Sequence, residues 1–228
     1  MWVSASGRIR AGLIAFVFLL GLLAGGVTYH FLTKANRLHG EAVELMNQGK
    51  YDSALAKLEA ALAENPHHVP ATFHRGLSLV EKHRWDEALA AFEATLRLDP
   101  DHARAHYNRG RILWMRGRFE QAAAALQRAT DLKSPFPDAW VLLAECYYEL
   151  YLRQMLADPD SSASPARAVA AFKTYLRQRP NAPDSQTVER KLQILQHVER
   201  YPQVLEQRRR EDQQPIRRRR PARRKVAK

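Results

Sequence analysis

The nine histidines of this sequence are considered first, because imidazole is a common metal ligand. His67 and His68 are adjacent, and His102 and His106 stand four residues apart, a spacing that places two side chains on one face of a helix. However, His102 precedes the predicted helix, and no cysteine or carboxylate completes a set of three or four ligands. We therefore expect no metal site, and we interpret these histidines as solvated residues at helix ends.

Nucleophilic chemistry has little support in the sequence. Cys146 is the one cysteine, which excludes an internal disulfide and any paired-cysteine zinc or redox site. Its apolar neighbours indicate a buried, inert thiol. The serines and threonines lack the glycine-flanked turn of an activated serine, and no glycine-rich loop is present that would hold a nucleotide phosphate. We expect no enzymatic activity and no cofactor.

Charged residues divide the chain into three parts, and the formal net charge of +12 arises at its two ends. Residues 1–34 carry 3 basic and no acidic side chains, residues 35–207 carry 22 of each, and residues 208–228 carry 11 basic and 2 acidic ones. This distribution indicates a balanced globular domain with a basic tail, which we expect to be disordered. The arginines of the tail that would contact nucleic acid, another anionic polymer or lipid are Arg208, Arg209, Arg210, Arg217, Arg218, Arg219, Arg220, Arg223 and Arg224.

An uncharged segment, residues 11–33, lies between Arg10 and Lys34. As a helix it would be about 34 Å long, enough to cross a hydrocarbon core of about 30 Å. We predict an uncleaved signal-anchor in the inner membrane, with residues 1–10 in the cytoplasm and the following domain on the periplasmic or outer side. A cleaved signal peptide, which would leave a secreted adaptor, stays open as an alternative. Gly21 and Gly25 form a small-residue step of the kind that pairs two membrane helices into a weak homodimer.

A period of 34 residues runs through the middle of the chain. A column of small residues is followed at the same step by an aromatic column and by a column of alanines. These columns are Ala42, Gly76, Gly110 and Ala144; then Tyr51, Trp85 and Phe119; then Ala54, Ala88 and Ala122. Pro66 and Pro100 follow the same step, and each marks the end of a helix because proline disfavours helical geometry in the residue before it.

This pattern resembles the tetratricopeptide repeat family, whose unit is a 34-residue helix–turn–helix. The resemblance implies an all-α fold: a right-handed solenoid of four helix pairs, preceded by one transmembrane helix. It covers residues 35–180, with units at 35–68, 69–102, 103–136 and 137–180 and an insertion near 152–165 in the last unit. We expect residues 184–200 to form a helix that caps the open end of the solenoid.

The resemblance also implies a concave groove, lined by the first helix of each pair, that binds a partner polypeptide. Carried over to this sequence, the groove residues are Phe73, Leu77, Arg104, Tyr107, Arg111, Trp114, Glu145 and Tyr148. The column that usually holds tryptophan in this family reads Thr72 in the second unit. The aromatic side chains Phe73, Tyr107 and Trp114 therefore have a second interpretation, as partly buried residues that supply the missing bulk.

The sequence thus favours a membrane-anchored scaffold that docks another protein in its groove. Frequent alanine and arginine hint at a bacterial protein, and hence at a complex of the bacterial envelope. The alternative is a membrane-tethered binder of nucleic acid or another polyanion through the tail at 208–228. These two hypotheses differ in which part of the chain carries the binding.

Overall fold

The computed structural model describes residues 34–157 and 164–197. The expected membrane segment, its Gly21 and Gly25, the last residues of the expected capping helix and the arginine-rich tail all lie outside these residues. Among the helices within the two ranges, none combines the length and hydropathy needed to cross a membrane. The following description concerns the two ranges alone.

Nine helices, and no strand, occur in the described part of the chain. The first, α1, is described over 34–47, and the last, α9, over 185–197. Those between them are α2 (Tyr51–Glu64), α3 (Val69–Glu81), α4 (Trp85–Leu98), α5 (Ala103–Met115), α6 (Phe119–Leu132), α7 (Pro137–Ala157) and α8 (Ala166–Gln178). The all-helical class that the sequence predicts is confirmed, and three second helices begin at the aromatic column.

The turns inside the helix pairs follow the 34-residue period down to the backbone angles. Gly49 and Gly117 adopt φ angles of 73° and 69°, and His83 occupies the same position of the intervening pair with φ 58°. This left-handed conformation suits glycine, which has no Cβ, and costs other L-residues energy. The helix ends are set differently, because Asn65 and Asp99 take extended angles before their prolines.

The chain divides into two compact units, and the first extends to Ala139. In this unit α1 to α6 pack in sequence order, each against the next, around a core that includes Leu58, Phe92 and Leu126, all inaccessible to solvent. The small column lets the helices of a pair approach closely. A Cβ atom added to Gly76 would lie 2.6 Å from a ring carbon of Phe92, so only glycine fits there.

The second unit begins at Trp140 and contains the rest of α7 together with α8 and α9. Its core includes Phe172, Tyr175 and Leu195, and the hydroxyl of Tyr175 donates a hydrogen bond to Asp184 just before α9. The sequence places an insertion near 152–165, and residues 158–163 of it lie outside the described ranges. Its first six residues, 152–157, are helical, because α7 runs to Ala157 through residues that favour helix.

Candidate partner-binding surface

Helix α5 has one buried face and one face that is open to solvent. The buried face carries Ala105, Ile112 and Leu113. The opposite face shows the i, i+3, i+7, i+10 spacing of a stripe along a helix. We call this stripe the α5 strip, and its residues are Arg104, Tyr107, Arg111, Trp114 and Met115. Arg104 is exposed, the next three are partly exposed, and Met115 is 51% exposed.

The α5 strip combines aromatic surface with donors that lack acceptors. The ring of Tyr107 packs against that of Phe136, with 5.0 Å between centroids. Burial raises the pKa of the Tyr107 hydroxyl, Arg111 opposes that rise and Asp138 adds to it. Nε of Arg111 and Nε1 of Trp114 are buried without a hydrogen-bond acceptor among the described residues. Leaving a donor in this state costs about 1–3 kcal/mol, which a rearranged contact with a partner's carbonyl would relieve.

Aromatic and arginine side chains on an accessible strip are the composition of binding hot spots. The rings provide large apolar area at little cost in conformational entropy, and the guanidinium groups offer several donors in a fixed geometry. The α5 strip is therefore suited to hold an extended or helical polypeptide segment. Of the residues expected in the groove, it unites Arg104, Tyr107, Arg111 and Trp114 on one helix.

Phe73 was expected to line the groove, and the structure corrects this expectation. Its side chain is only 5% exposed and lies 4.6 Å from the ring of His102 and 5.8 Å from that of Phe92, centroid to centroid. Thr72 stands where the family usually has tryptophan, and the next residue, Phe73, turns inward to pack against Phe92 and His102. Leu77 is partly exposed and also packs against this core.

Glu145 and Tyr148, expected in the groove of the fourth pair, both contact α9. The Nζ atom of Lys191 donates to both carboxylate oxygens of Glu145, each at 2.7 Å, and lies 5.2 Å from the ring centroid of Tyr148. The side chain of Glu145 is consequently only 19% exposed. A partner that used this carboxylate would have to displace Lys191.

A histidine cluster joins α1 to α3, and the sequence did not predict it. Nε2 of His39 lies 2.9 Å from Nδ1 of His74, and that Nδ1–H donates to the carbonyl of Pro70 at 2.8 Å. His68 lies beside them, with its ring centroid 5.2 Å from that of His39 and its Nε2 2.8 Å from the side-chain oxygen of Asn36. The 34-residue period does not signal this cluster, because the contact depends on α1 lying beside α3.

Burial lowers the pKa of each imidazole in this cluster. The pKa of His39 falls to about 4, through burial first and then through His74 and His68. Burial also lowers the pKa of His68 and of His74, although the hydrogen bond to Pro70 partly offsets the effect at His74. The cluster is therefore uncharged near neutral pH.

The expectation of solvated histidines at helix ends is wrong for His68, which is 6% exposed and whose Nδ1 accepts a hydrogen bond from the backbone of Ala71. His102 caps α5 in the same way, through the backbone N–H of Ala105. His67, by contrast, is exposed. His68 and His102 thus each accept a hydrogen bond at a helix N-terminus. In the part of the chain that the structure describes, no group of three or more histidine, cysteine or carboxylate side chains could hold a metal ion.

Met115 is the member of the α5 strip that the sequence interpretation missed. At the same position the other pairs carry Asn47, Glu81 and Glu149, all polar. An apolar side chain in an otherwise polar column was the signal, and its 51% exposure now places it next to Trp114 at the solvent surface.

The helix pairs, their period and this surface define a helical repeat protein. The tetratricopeptide repeat family matches residues 39–82, 74–135 and 116–151. The chain belongs to this family, as its sequence pattern predicts. No curated protein matches the full sequence significantly.

Solved structures of tetratricopeptide repeat proteins share the fold. MamA from Desulfovibrio magneticus RS-1 has 17% identity and a TM-score of 0.59 over 78% of this chain and 97% of that one. A further MamA crystal structure has 19% identity and a TM-score of 0.55 over 75% and 96%. YrrB, described as a TPR protein with an unusual peptide-binding site, has 24% identity and a TM-score of 0.54 over 65% and 70%. At these identities the likeness concerns the fold alone.

Proposed function

We propose that this protein is a membrane-anchored scaffold that docks a partner polypeptide on the α5 strip. The observation that carries the proposal is the exposure of Trp114 and Met115 beside Arg111 on one helix face. Among the described residues of α1 to α6, Met115 is the large apolar side chain that is exposed, whereas Leu156 and Ile194 are exposed in the second unit. Its position beside Trp114 at the surface supports a contact with another molecule. The peptide-binding site of YrrB, a protein of the same fold, supports a polypeptide as the occupant.

The anchor belongs to the same proposal. Residues 11–33 carry no formal charge, and Arg8 and Arg10 precede them. This arrangement favours a single span with the N-terminus in the cytoplasm and the repeats on the periplasmic or outer side. To test the topology, a reporter enzyme that works only outside the cytoplasm is fused after residue 228, and we expect it to be active. To test cleavage, the mass of the mature protein is measured, and we expect residues 1–33 to be retained.

Crosslinking from native membranes tests the docking surface. A photoreactive amino acid at Met115 should capture a defined partner, whereas the same group at Gln121, on the exposed face of α6, should not. With the partner identified, the double change Tyr107→Ala and Arg111→Ala should weaken binding at least tenfold, which corresponds to about 1.4 kcal/mol. The matched control is the double change Gln121→Ala and Arg128→Ala on α6.

Two results would contradict the α5 strip as the docking surface. One is a Tyr107→Ala, Arg111→Ala protein that keeps both its melting temperature and its affinity. The other is equal weakening by the α6 control. Because Tyr107 packs against Phe136, circular dichroism must first show that the variant remains folded.

The basic tail supports the alternative function, binding of nucleic acid, another anionic polymer or anionic lipid. Each basic residue near an anionic membrane contributes about 1 kcal/mol. Removal of residues 208–228 separates the two functions, since it should spare capture of the polypeptide partner and abolish binding of a polyanion. Pairing of two anchors through Gly21 and Gly25 is tested by changing both to leucine and measuring self-association in membranes.

A further inference from the structure

A cleft opens among α2, α3 and α4, at the junction of the first two helix pairs. Its volume is about 330 Å³, within the range of small-molecule sites. Leu62, Ala94 and Leu98 provide apolar walls, and His67, Arg75 and Arg97 provide polar ones. The cleft is built from side chains outside the α5 strip.

The two arginines of this cleft form no ion pair within the described residues. Neither Arg75 nor Arg97 forms a hydrogen bond or an ion pair there, and Nε of Arg75 is buried without an acceptor. Arg84 donates two hydrogen bonds of 2.7 Å to the carboxylate of Glu87. These bonds lower the pKa of Glu87, and the positive charge of Arg75 adds to that effect. The donors of Arg75 and Arg97 thus remain available to an anion.

The next junction of the same fold, 34 residues further along, provides an internal comparison. There Arg128 stands in place of Ala94 and Asp101 in place of His67, and these two form an ion pair with an N–O distance of 3.1 Å. Arg109, the counterpart of Arg75, has its Nε 3.7 Å from a carboxylate oxygen of Glu93.

The corresponding partner is missing at the first junction. Glu59, the counterpart of Glu93, forms no ion pair with Arg75. Sequence differences at positions 67, 94 and 97, where the second junction has Asp101, Arg128 and Asp131, therefore replace an internal ion pair by a space lined with arginines that form no ion pair.

We propose that this cleft binds a phosphate monoester. Near neutral pH such a group carries close to two negative charges, which match the two guanidinium groups of Arg75 and Arg97. A planar guanidinium offers paired N–H donors to phosphate oxygens, and the imidazole of His67 adds a donor. The body of the ester lies against Leu62 and Leu98. This site is distinct from the docking surface and does not depend on it.

Calorimetric titration with phenyl phosphate tests the proposal on the full chain in neutral detergent at about 0.15 M salt, where long-range attraction is screened. The parent protein should show saturable binding of phenyl phosphate and none of phenol. The double change Arg75→Gln and Arg97→Gln should weaken binding at least tenfold. The control, Arg109→Gln with Arg128→Gln, removes two arginines from the equivalent junction, keeps the tail, and should bind as the parent does.

If the double change unfolds the protein, the single change Arg97→Gln is used instead, because Arg97 is exposed near the end of α4. It should weaken binding measurably while preserving the circular dichroism spectrum. Absence of saturable binding by the parent, or equal weakening by the control, would overturn the proposal. So would an acidic peptide that competes with phenyl phosphate at equal affinity, because the site would then recognise carboxylates.

A second arm identifies the source of the phosphate. The full chain is mixed with phosphatidylcholine vesicles that contain or lack phosphatidic acid, whose head group is a phosphate monoester. Arginine-dependent binding to phosphatidic acid would support a lipid head group as the ligand, whereas binding of phenyl phosphate alone would support a soluble ester. If neither ligand distinguishes Arg75→Gln, Arg97→Gln from its control, the proposal is wrong.

Discussion

Nε2 of His39 on α1 and Nδ1 of His74 on α3 lie 2.9 Å apart, and this contact joins the first helix pair to the second. Nδ1 of His74 carries its hydrogen because it donates to the carbonyl of Pro70, so Nε2 of His39 can share that hydrogen only as an acceptor. A proton added to that atom would place two N–H groups against each other. The contact therefore requires a neutral His39.

Acidification should weaken the fold through this contact. The pKa of His39 is about 4 in the folded protein against about 6.5 in the unfolded chain. The unfolded state therefore binds more protons between these values, so the stability from neutral His39 is complete above about pH 6.5 and is lost as the pH falls toward 4. Urea unfolding at about pH 7.5 and about pH 5 should show a smaller loss of stability in His39→Gln than in the parent.

The control for the histidine contact is His67→Gln, which changes an exposed neighbour outside the cluster. It should retain the pH dependence of the parent. Identical slopes for His39→Gln and the parent would show that the cluster does not couple protonation to folding.

Alanine should have opposite effects at two helix glycines. A Cβ at Gly76 would lie 2.6 Å from the fully buried ring of Phe92, so Gly76→Ala should destabilise the protein by about 1–3 kcal/mol. No atom lies within 4 Å of the equivalent Cβ at Gly40, where Gly40→Ala should stabilise α1 by about 0.5–1 kcal/mol. Free energies of unfolding from urea titrations measure both effects, and a neutral Gly76→Ala would contradict the close approach of α3 and α4.

The left-handed turn residue His83 should be improved by glycine. At φ 58° it has an unfavourable conformation that Gly117 adopts readily in the next pair. We expect His83→Gly to raise the free energy of unfolding by about 0.5–1 kcal/mol, although the contact of the His83 ring with Trp85 is lost. The reciprocal change, Gly117→Ala, should lower the free energy of unfolding by about 1 kcal/mol. If both substitutions changed the free energy of unfolding in the same direction, this explanation would be contradicted.

The thiol of Cys146 should be inert in the folded protein. It is inaccessible to solvent, and burial raises its pKa to about 12. A colorimetric thiol reagent should react with it only after urea is added. Met115→Cys in a Cys146→Ala background should react at once because position 115 is exposed, and rapid labelling of Cys146 in the native protein would contradict its burial.

Periodic features of the sequence were sufficient to predict the helical repeats. Small residues at Gly76 and Gly110, aromatic residues at Trp85 and Phe119, and a proline at Pro100 each act on the local backbone or on the neighbouring helix. Interactions of this kind have fixed sequence separations, so a 34-residue repeat encodes them directly. The same reasoning identified the face of α5 that carries Tyr107, Arg111 and Trp114.

Tertiary packing decided which side chains remain available for binding. Phe73 and Trp114 were equivalent candidates in the sequence, yet Phe73 packs against Phe92 and His102 while Trp114 stays partly exposed. The histidine contact between α1 and α3 and the cleft beside Arg75 likewise arise between helices. Burial and hydrogen bonding depend on the volume and charge that neighbouring helices supply, and a linear pattern does not specify these quantities.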